Sequence, residues 1–368
     1  MLDTLELTQK ENALILEEQL EKGLLPYAML FAGPRYTGRM HAALCVAEAL
    51  GCSLGDMLII SSREQKMLVE SAINNFEKAR NNASRDILQR TLSVLLLQYN
   101  GAMAQCASAS EKPNFALACD ISDSLKALKM IHEDEVPAFC KTLRASCQKV
   151  LANCRKTGGV SIAQARLIGK WASDTTASGK PRLIIIEGIE DANDAAKNAL
   201  LKTLEEPPEN TYFIMISSKA ERIMPTILSR LRRYSFKALD EQMTRSLLSS
   251  VMRVDPTGYS SLEEFFLASS NINLKALKDC AASIIQGRDE GIRQACDEMA
   301  RCDMTSWFYE MLSREAQEAF RSGKIKYDKA RRMQEAINRL CKSALVYNQS
   351  ASLTLTALSY EIRGMLNN

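Results

Sequence analysis

Apolar residues run along this chain with two different periods, and the changes of period mark its parts. Short unbroken apolar runs predict strands at Ala28–Phe31, Asp56–Ile60, Arg182–Glu187, Thr211–Ser217 and Arg233–Phe236. Between them the spacing turns helical. Residues 8–24 set Ala13, Leu14, Leu16, Leu20 and Leu24 along one stripe, and His41–Leu50, Ser161–Trp171 and Ala195–Glu206 also read as helices. Five strands interleaved with helices predict an α/β fold built on a parallel sheet, in three layers.

Two stretches break the alternation. From Ser61 to about Lys156 only helical spacing survives: Glu64–Tyr99 suits two helices broken near Asn81–Ser84, and Glu135–Arg155 suits another. Cys140, Cys147 and Cys154 lie on that last helix at seven-residue steps. Such a step separates side chains by about 10 Å, too far for one metal, so they read as a small-residue packing stripe. This all-α block, about 61–156, is an insertion in the α/β domain of residues 1–238. After Leu239 no strand pattern returns. Glu241–Arg253, Leu262–Ala268, Leu274–Gln286, Glu290–Arg301, Ser306–Phe320, Tyr327–Tyr347 and Leu353–Met365 read as helices, divided into a small helical lid (239–287) and a C-terminal all-α bundle (288–368).

Composition narrows the function classes. A length of 368 residues calls for two or three domains, and 25% charged with 46% hydrophobic residues is ordinary for a soluble globular protein. A net charge of +3 makes no strong case for nucleic acid, membrane or acidic partners. The eleven cysteines include no C-x-x-C pair, so they read as free thiols in a reducing cytoplasm. The N-terminus lacks the apolar core of a signal peptide, and no apolar run is long enough to span a bilayer. With only His41 and His132, imidazole-based metal sites and catalytic triads have little raw material.

The candidate chemistry lies in the α/β part. Gly33-Pro-Arg-Tyr-Thr-Gly38 has the glycine spacing of a phosphate-binding loop and follows a strand directly. Arg39 stands where the loop needs lysine, and Met40 where it needs a hydroxyl for magnesium. A thioether is a poor ligand for so hard a cation. After the apolar run Leu183–Ile186 the residues are Glu187, which could contact a cation, and Gly188, so the carboxylate that would activate water is missing. The two losses predict a nucleotide fold without hydrolysis, with no bound ATP expected.

Glu205 and Glu206 end a helix where the macrodipole disfavours negative charge, by roughly 0.3–1 kcal/mol each. They read either as solvated or as meeting basic groups on a neighbour. Pro225 opens a short helix that leaves Arg230 at its end. An arginine there either caps helix carbonyls or donates its charge to a phosphoryl group held by another molecule.

The chain resembles the AAA+ clamp-loader subunits of bacterial DNA polymerase III, in particular those of the delta-prime type. The resemblance is carried by Leu24–Pro34, Val160–Arg166, Asn198–Thr211 and Leu228–Arg232, and it covers roughly residues 8–60 and 158–240. Asn198–Thr211 is its most specific block. The resemblance implies a subunit that does not hydrolyse ATP. Such a subunit would assemble with the gamma/tau motor subunits and the delta subunit, and load a sliding clamp on primer–template DNA. By that match Arg230, with Ser229 beside it, is an arginine finger acting in trans. Gly33, Gly38, Arg39 and Glu187 are remnants of the nucleotide site, Ser217 and Ser218 lie near one sensor position, and Lys275 lies near the other.

Departures from the family pattern are plain. Leu231 replaces the cysteine of Ser-Arg-Cys, the insertion is unusual, and only Cys52 follows the loop's helix before Asp56, so the family's four-cysteine zinc module is not expected. Two other readings compete with the non-catalytic one. One is an active motor subunit, which Arg39, Met40 and Gly188 oppose. The other is an autonomous DNA-binding protein using Arg230–Arg233 and Arg321–Arg332, which the low net charge and the lack of an aromatic-interleaved basic patch oppose.

Overall fold

The computed structural model describes residues 3–61, 65–99, 101–106, 112–152, 160–173, 179–259, 261–270, 272–302, 304–346 and 349–367. The chain forms two compact units, Met1–Gln65 with Ala72–Phe265, and Lys66–Ser71 with Phe266–Asn368.

In the first unit α1 (Asp3–Glu21), β1 (Ala28–Ala32), α2 (Arg39–Ala49) and β2 (Met57–Ile60) lead into the helical insertion. The insertion comprises α3 (Gln65–Ala79), α4 (Asn82–Leu97), α5 (Lys112–Ala127) and α6 (Val136–Ala152). The α/β pattern resumes with α7 (Ile162–Ser173), β3 (Arg182–Glu187), α8 (Asp194–Glu205), β4 (Thr211–Ser217), α9 (Pro225–Leu228) and β5 (Arg232–Ser235). The next helices are α10 (Glu241–Ser246), extended by a π turn over Leu247–Val251, and α11 (Leu262–Ser269); Lys66–Ser71 of α3 and Phe266–Ser269 of α11 belong to the second unit.

All five strands pair in parallel, in the order β2-β3-β4-β1-β5. Because strand side chains alternate, each central strand feeds both faces. Leu30, Ile184, Ile186, Phe213 and Met215 pack with Ile168 of α7 and Leu200 of α8. Met29, Phe31, Ile59, Ile185 and Ile214 pack on the opposite face with Leu16 of α1 and Val46 of α2. The expected three-layer sheet is present.

The insertion shares in these layers. Val94 and Leu97 of α4 join the face covered by α1 and α2, and Met103 joins the other. Its first two helices part at Arg80, whose φ is 48°, and Asn81 caps α4 by accepting from the Ser84 N–H at 2.8 Å. Arg144 of α6 clasps α3, donating to Asn74 Oδ1 and Glu77 Oε2, each at 2.8 Å. Cys140 and Cys147 are buried on α6; Cys154, expected on the same face, lies outside the described residues.

One sequence expectation needs correcting. The stripe over residues 8–24 holds only in part: Ala13 and Leu16 are buried, while Leu14 is 48% and Leu24 68% exposed. The helix ends at Glu21, so Leu24 is no longer on it.

Among the described residues the second unit is all-helical. It contains α12 (Leu274–Ile285), α13 (Ile292–Cys302), α14 (Thr305–Arg321), α15 (Tyr327–Val346) and α16 (Ala351–Asn367). Its core includes Phe308, Leu312, Met333, Ile337, Leu355, Leu358 and Ile362. Tyr309, also buried, donates its hydroxyl to Thr354 Oγ1 at 2.7 Å, which satisfies a polar tip inside that core. Among the described residues no helix is long and apolar enough to cross a membrane.

Candidate functional site

In a parallel sheet all strands deliver their C-terminal ends to one edge, and here that edge gathers the candidate nucleotide residues. Gly33 follows β1 and donates its N–H to the Ser217 carbonyl at the end of β4, at 3.1 Å. Glu187 ends β3 and Gly188 donates to the Ile216 carbonyl at 3.2 Å.

The loop itself is shaped by its own chain. A Cβ at Gly33 would lie 2.3 Å from the Phe236 carbonyl oxygen, just past β5, so no larger residue fits without movement. Gly38 adopts φ 87° as the residue before α2, a conformation that favours glycine, although a Cβ there would meet nothing closer than 3.6 Å. Thr37 turns inward and donates to the Pro34 carbonyl at 2.9 Å.

Arg39, in the lysine position, is 5% exposed. Glu187 accepts a 2.6 Å hydrogen bond from Ser61 Oγ, just beyond β2. Ser217 is buried, and its Oγ accepts from the Lys219 N–H at 3.0 Å. Near the loop, burial pushes the His41 imidazole down to about 4, helped by the Arg90 guanidinium 3.4 Å from its Nδ1. Among the described residues no three His, Cys, Asp or Glu side chains cluster as metal ligands would.

Arg230 sits elsewhere. In the β1–β5 register Met29 lies opposite Arg232 and Ala32 opposite Ser235. Gly33 is therefore past the C-terminal ends of this pair, and Arg230 before the N-terminal end of β5. At about 3.3 Å per residue, the four residues of β5 put roughly 13 Å of strand between them. The side chain of Arg230 is 32% exposed and doubly held: Nη1 donates to the Thr226 carbonyl and Nη2 to Glu205 Oε1, each at 2.5 Å. Ser229 Oγ lies 3.3 Å from the same Nη1.

The first contact is the carbonyl cap that sequence allows for. The second revises the expectation for Glu205, because the basic group it meets belongs to its own chain. Its unfavourable place at the end of α8 was the only signal in the sequence for that pairing. No comparable signal pointed to Ser61 or Phe236.

Lys275 lies in the second unit, exposed on the first turn of α12. It lines a cavity of about 500 Å³ with Asp279, Cys280, Ser283, Arg288 and Gln294.

A five-stranded parallel sheet of this order, with a glycine turn leaving β1 between β4 and β5, is the α/β fold of the AAA+ class. The chain belongs to the family described as DNA polymerase III, delta subunit, whose model matches residues 8–240, and it is thus a clamp-loader-family protein of bacterial DNA polymerase III.

Relatives agree over shorter stretches. DNA polymerase III subunit delta' of Haemophilus influenzae is 30% identical over 96 residues, 26% of this chain and 29% of that protein. DNA polymerase III subunit tau of Escherichia coli is 36% identical over 76 residues, 21% of this chain and 12% of that protein. Replication factor C subunit 3 of Saccharomyces cerevisiae is 26% identical over 108 residues, 28% of this chain and 32% of that protein. The matched stretches thus span about a third or less of each relative. A solved DNA polymerase III gamma subunit-related protein of Thermotoga maritima aligns at 15% identity with a TM-score of 0.32, covering 60% of this chain and 90% of that one.

Proposed function

We propose that this chain is a non-catalytic, delta-prime-like subunit of a bacterial DNA polymerase III clamp loader. In this reading it assembles with gamma/tau motor subunits and a delta subunit, helps place a sliding clamp on primer–template DNA, and lends Arg230 to the ATP site of an adjacent subunit. The observation that carries the reading is the register. Arg230 and the glycine loop lie at opposite edges of one sheet, so any phosphoryl group that Arg230 meets is held by another molecule.

The loop supports the same reading from the other side. Gly33 is fitted to Phe236, Arg39 is turned into the interior, and Met40 offers a soft sulfur to a hard cation. Glu187 is engaged by Ser61, and Gly188 supplies no carboxylate beside it to activate water. These residues do not fit magnesium nucleotide, and no hydrolytic step is assigned to them. Ser229 and Glu205 act as positioning residues that hold the Arg230 guanidinium at the surface.

The test is Arg230→Ala in a loader reconstituted with its other subunits. An arginine finger contributes roughly 10³–10⁵ to phosphoryl transfer at the site it serves. Assembly should survive, while clamp- and DNA-stimulated ATP hydrolysis at the adjoining site falls by at least about a hundredfold in single turnover. Unchanged hydrolysis and clamp loading would remove the assignment.

A second reading, an active motor subunit, draws on the gamma/tau relatives, such as that of Mycobacterium tuberculosis at 39% identity over 70 residues. ATP turnover by the isolated chain that disappears with Arg39→Ala would favour it.

A further inference from the structure

The end of α14, the turn after it and the start of α15 read RSGKIKYDKARR over residues 321–332, six cations against the single acid Asp328. Two of these cations are already engaged: Lys329 donates to the Leu366 carbonyl at 3.1 Å, and Arg331 pairs with Glu335 at 3.2 Å. The side chains of Arg321, Lys324, Lys326 and Arg332 are exposed and have no hydrogen-bond or ion-pair partner among the described residues.

Folding adds what the linear sequence hides. Phe320 closes α14 and Tyr327 opens α15, and the turn brings their rings to 6.0 Å between centroids, at an interplanar angle of 65°. Both rings stay outside the bundle core, with Phe320 42% and Tyr327 64% exposed.

We propose that this helical hairpin tip is a contact for single-stranded nucleic acid. Bases stack on the exposed ring faces, and Arg321, Lys324, Lys326 and Arg332 carry the phosphates. Unpaired bases present the π-faces that such rings take, whereas a duplex keeps them stacked inside. The two rings brace each other edge to face, so little side-chain freedom is lost on binding. The proposal is independent of the role given to Arg230, since the variants that test it leave α9 untouched.

The experiment uses the whole chain and a labelled 20-nucleotide oligothymidylate, followed by fluorescence anisotropy at several salt concentrations. Tyr327→Ala should weaken binding roughly five- to tenfold or more with the salt slope unchanged, as loss of one stacking platform does. Lys324→Ala with Lys326→Ala should reduce the slope of log K against log salt by about 1.4, the share of two phosphate contacts on a single strand. All three positions are exposed, so both variants should fold, which circular dichroism checks. Binding that is indifferent to Tyr327 and to the two lysines, or that is lost instead on Arg232→Ala with Arg233→Ala, would overturn the proposal. So would displacement by polyglutamate as effective as by oligothymidylate and insensitive to Tyr327, which would assign the face to an acidic protein.

Discussion

At Gly33 an added methyl group would sit 2.3 Å from a backbone oxygen of Phe236, well inside van der Waals contact. Gly33→Ala is therefore expected to shift the end of β5 and cost about 1–3 kcal/mol, the usual penalty for overpacking. Urea unfolding measures it, and an unchanged midpoint would show that the strand end yields freely. His41 makes a second residue-scale prediction, about pH. Its imidazole stays neutral in the folded chain down to about 4, while the unfolded chain binds a proton near the ordinary value of about 6.5. Below that value the unfolded state holds the extra proton, so stability is complete above about 6.5 and declines as pH falls through 4, by up to about 3 kcal/mol. Urea midpoints across this range should fall less steeply in His41→Gln than in the parent chain. Parallel slopes would mean that His41 is not the titrating group.

Elements were legible where their signals are local. The strands Arg182–Glu187 and Thr211–Ser217 have the bounds their apolar runs predict. The helices after Leu239 follow their predicted positions to within a few residues, except that the first ends as a π turn at Val251. The exposed face of α1 was misread, because apolar spacing alone does not say which leucines another element covers. The insertion shows the same limit. Its helical character is plain in the sequence, yet its packing on the sheet layers depends on residues such as Leu97 joining the buried cluster beneath α1 and α2. Leu97→Ala in α4 is expected to cost about 2–5 kcal/mol if this packing is integral to the first unit. A change under about 0.5 kcal/mol in urea unfolding would mean that the insertion is only loosely attached.

On the scale of the whole molecule, local chemistry and long-range geometry divide the account between them. The sequence by itself determined the α/β alternation, the helical insertion, the all-helical C-terminal part and the family blocks. Each depends on residue periods, caps and short motifs within a few turns of chain. It also showed Arg39 and Met40 after the glycine loop, and Gly188 after β3, as residue types. Only the tertiary structure decided what those residues meet. Ser61 reaches Glu187 across 126 residues, and Glu205 grips Arg230 across 25. The sheet register sets Arg230 and Gly33 at opposite edges, although β1 and β5 are neighbours. The turn from α14 to α15 gathers Phe320 and Tyr327 beside four cations that have no partner among the described residues. A hydrophobic period fixes which face of an element is buried, but strand order and register come from packing all the elements at once, and no short stretch of sequence carries that information.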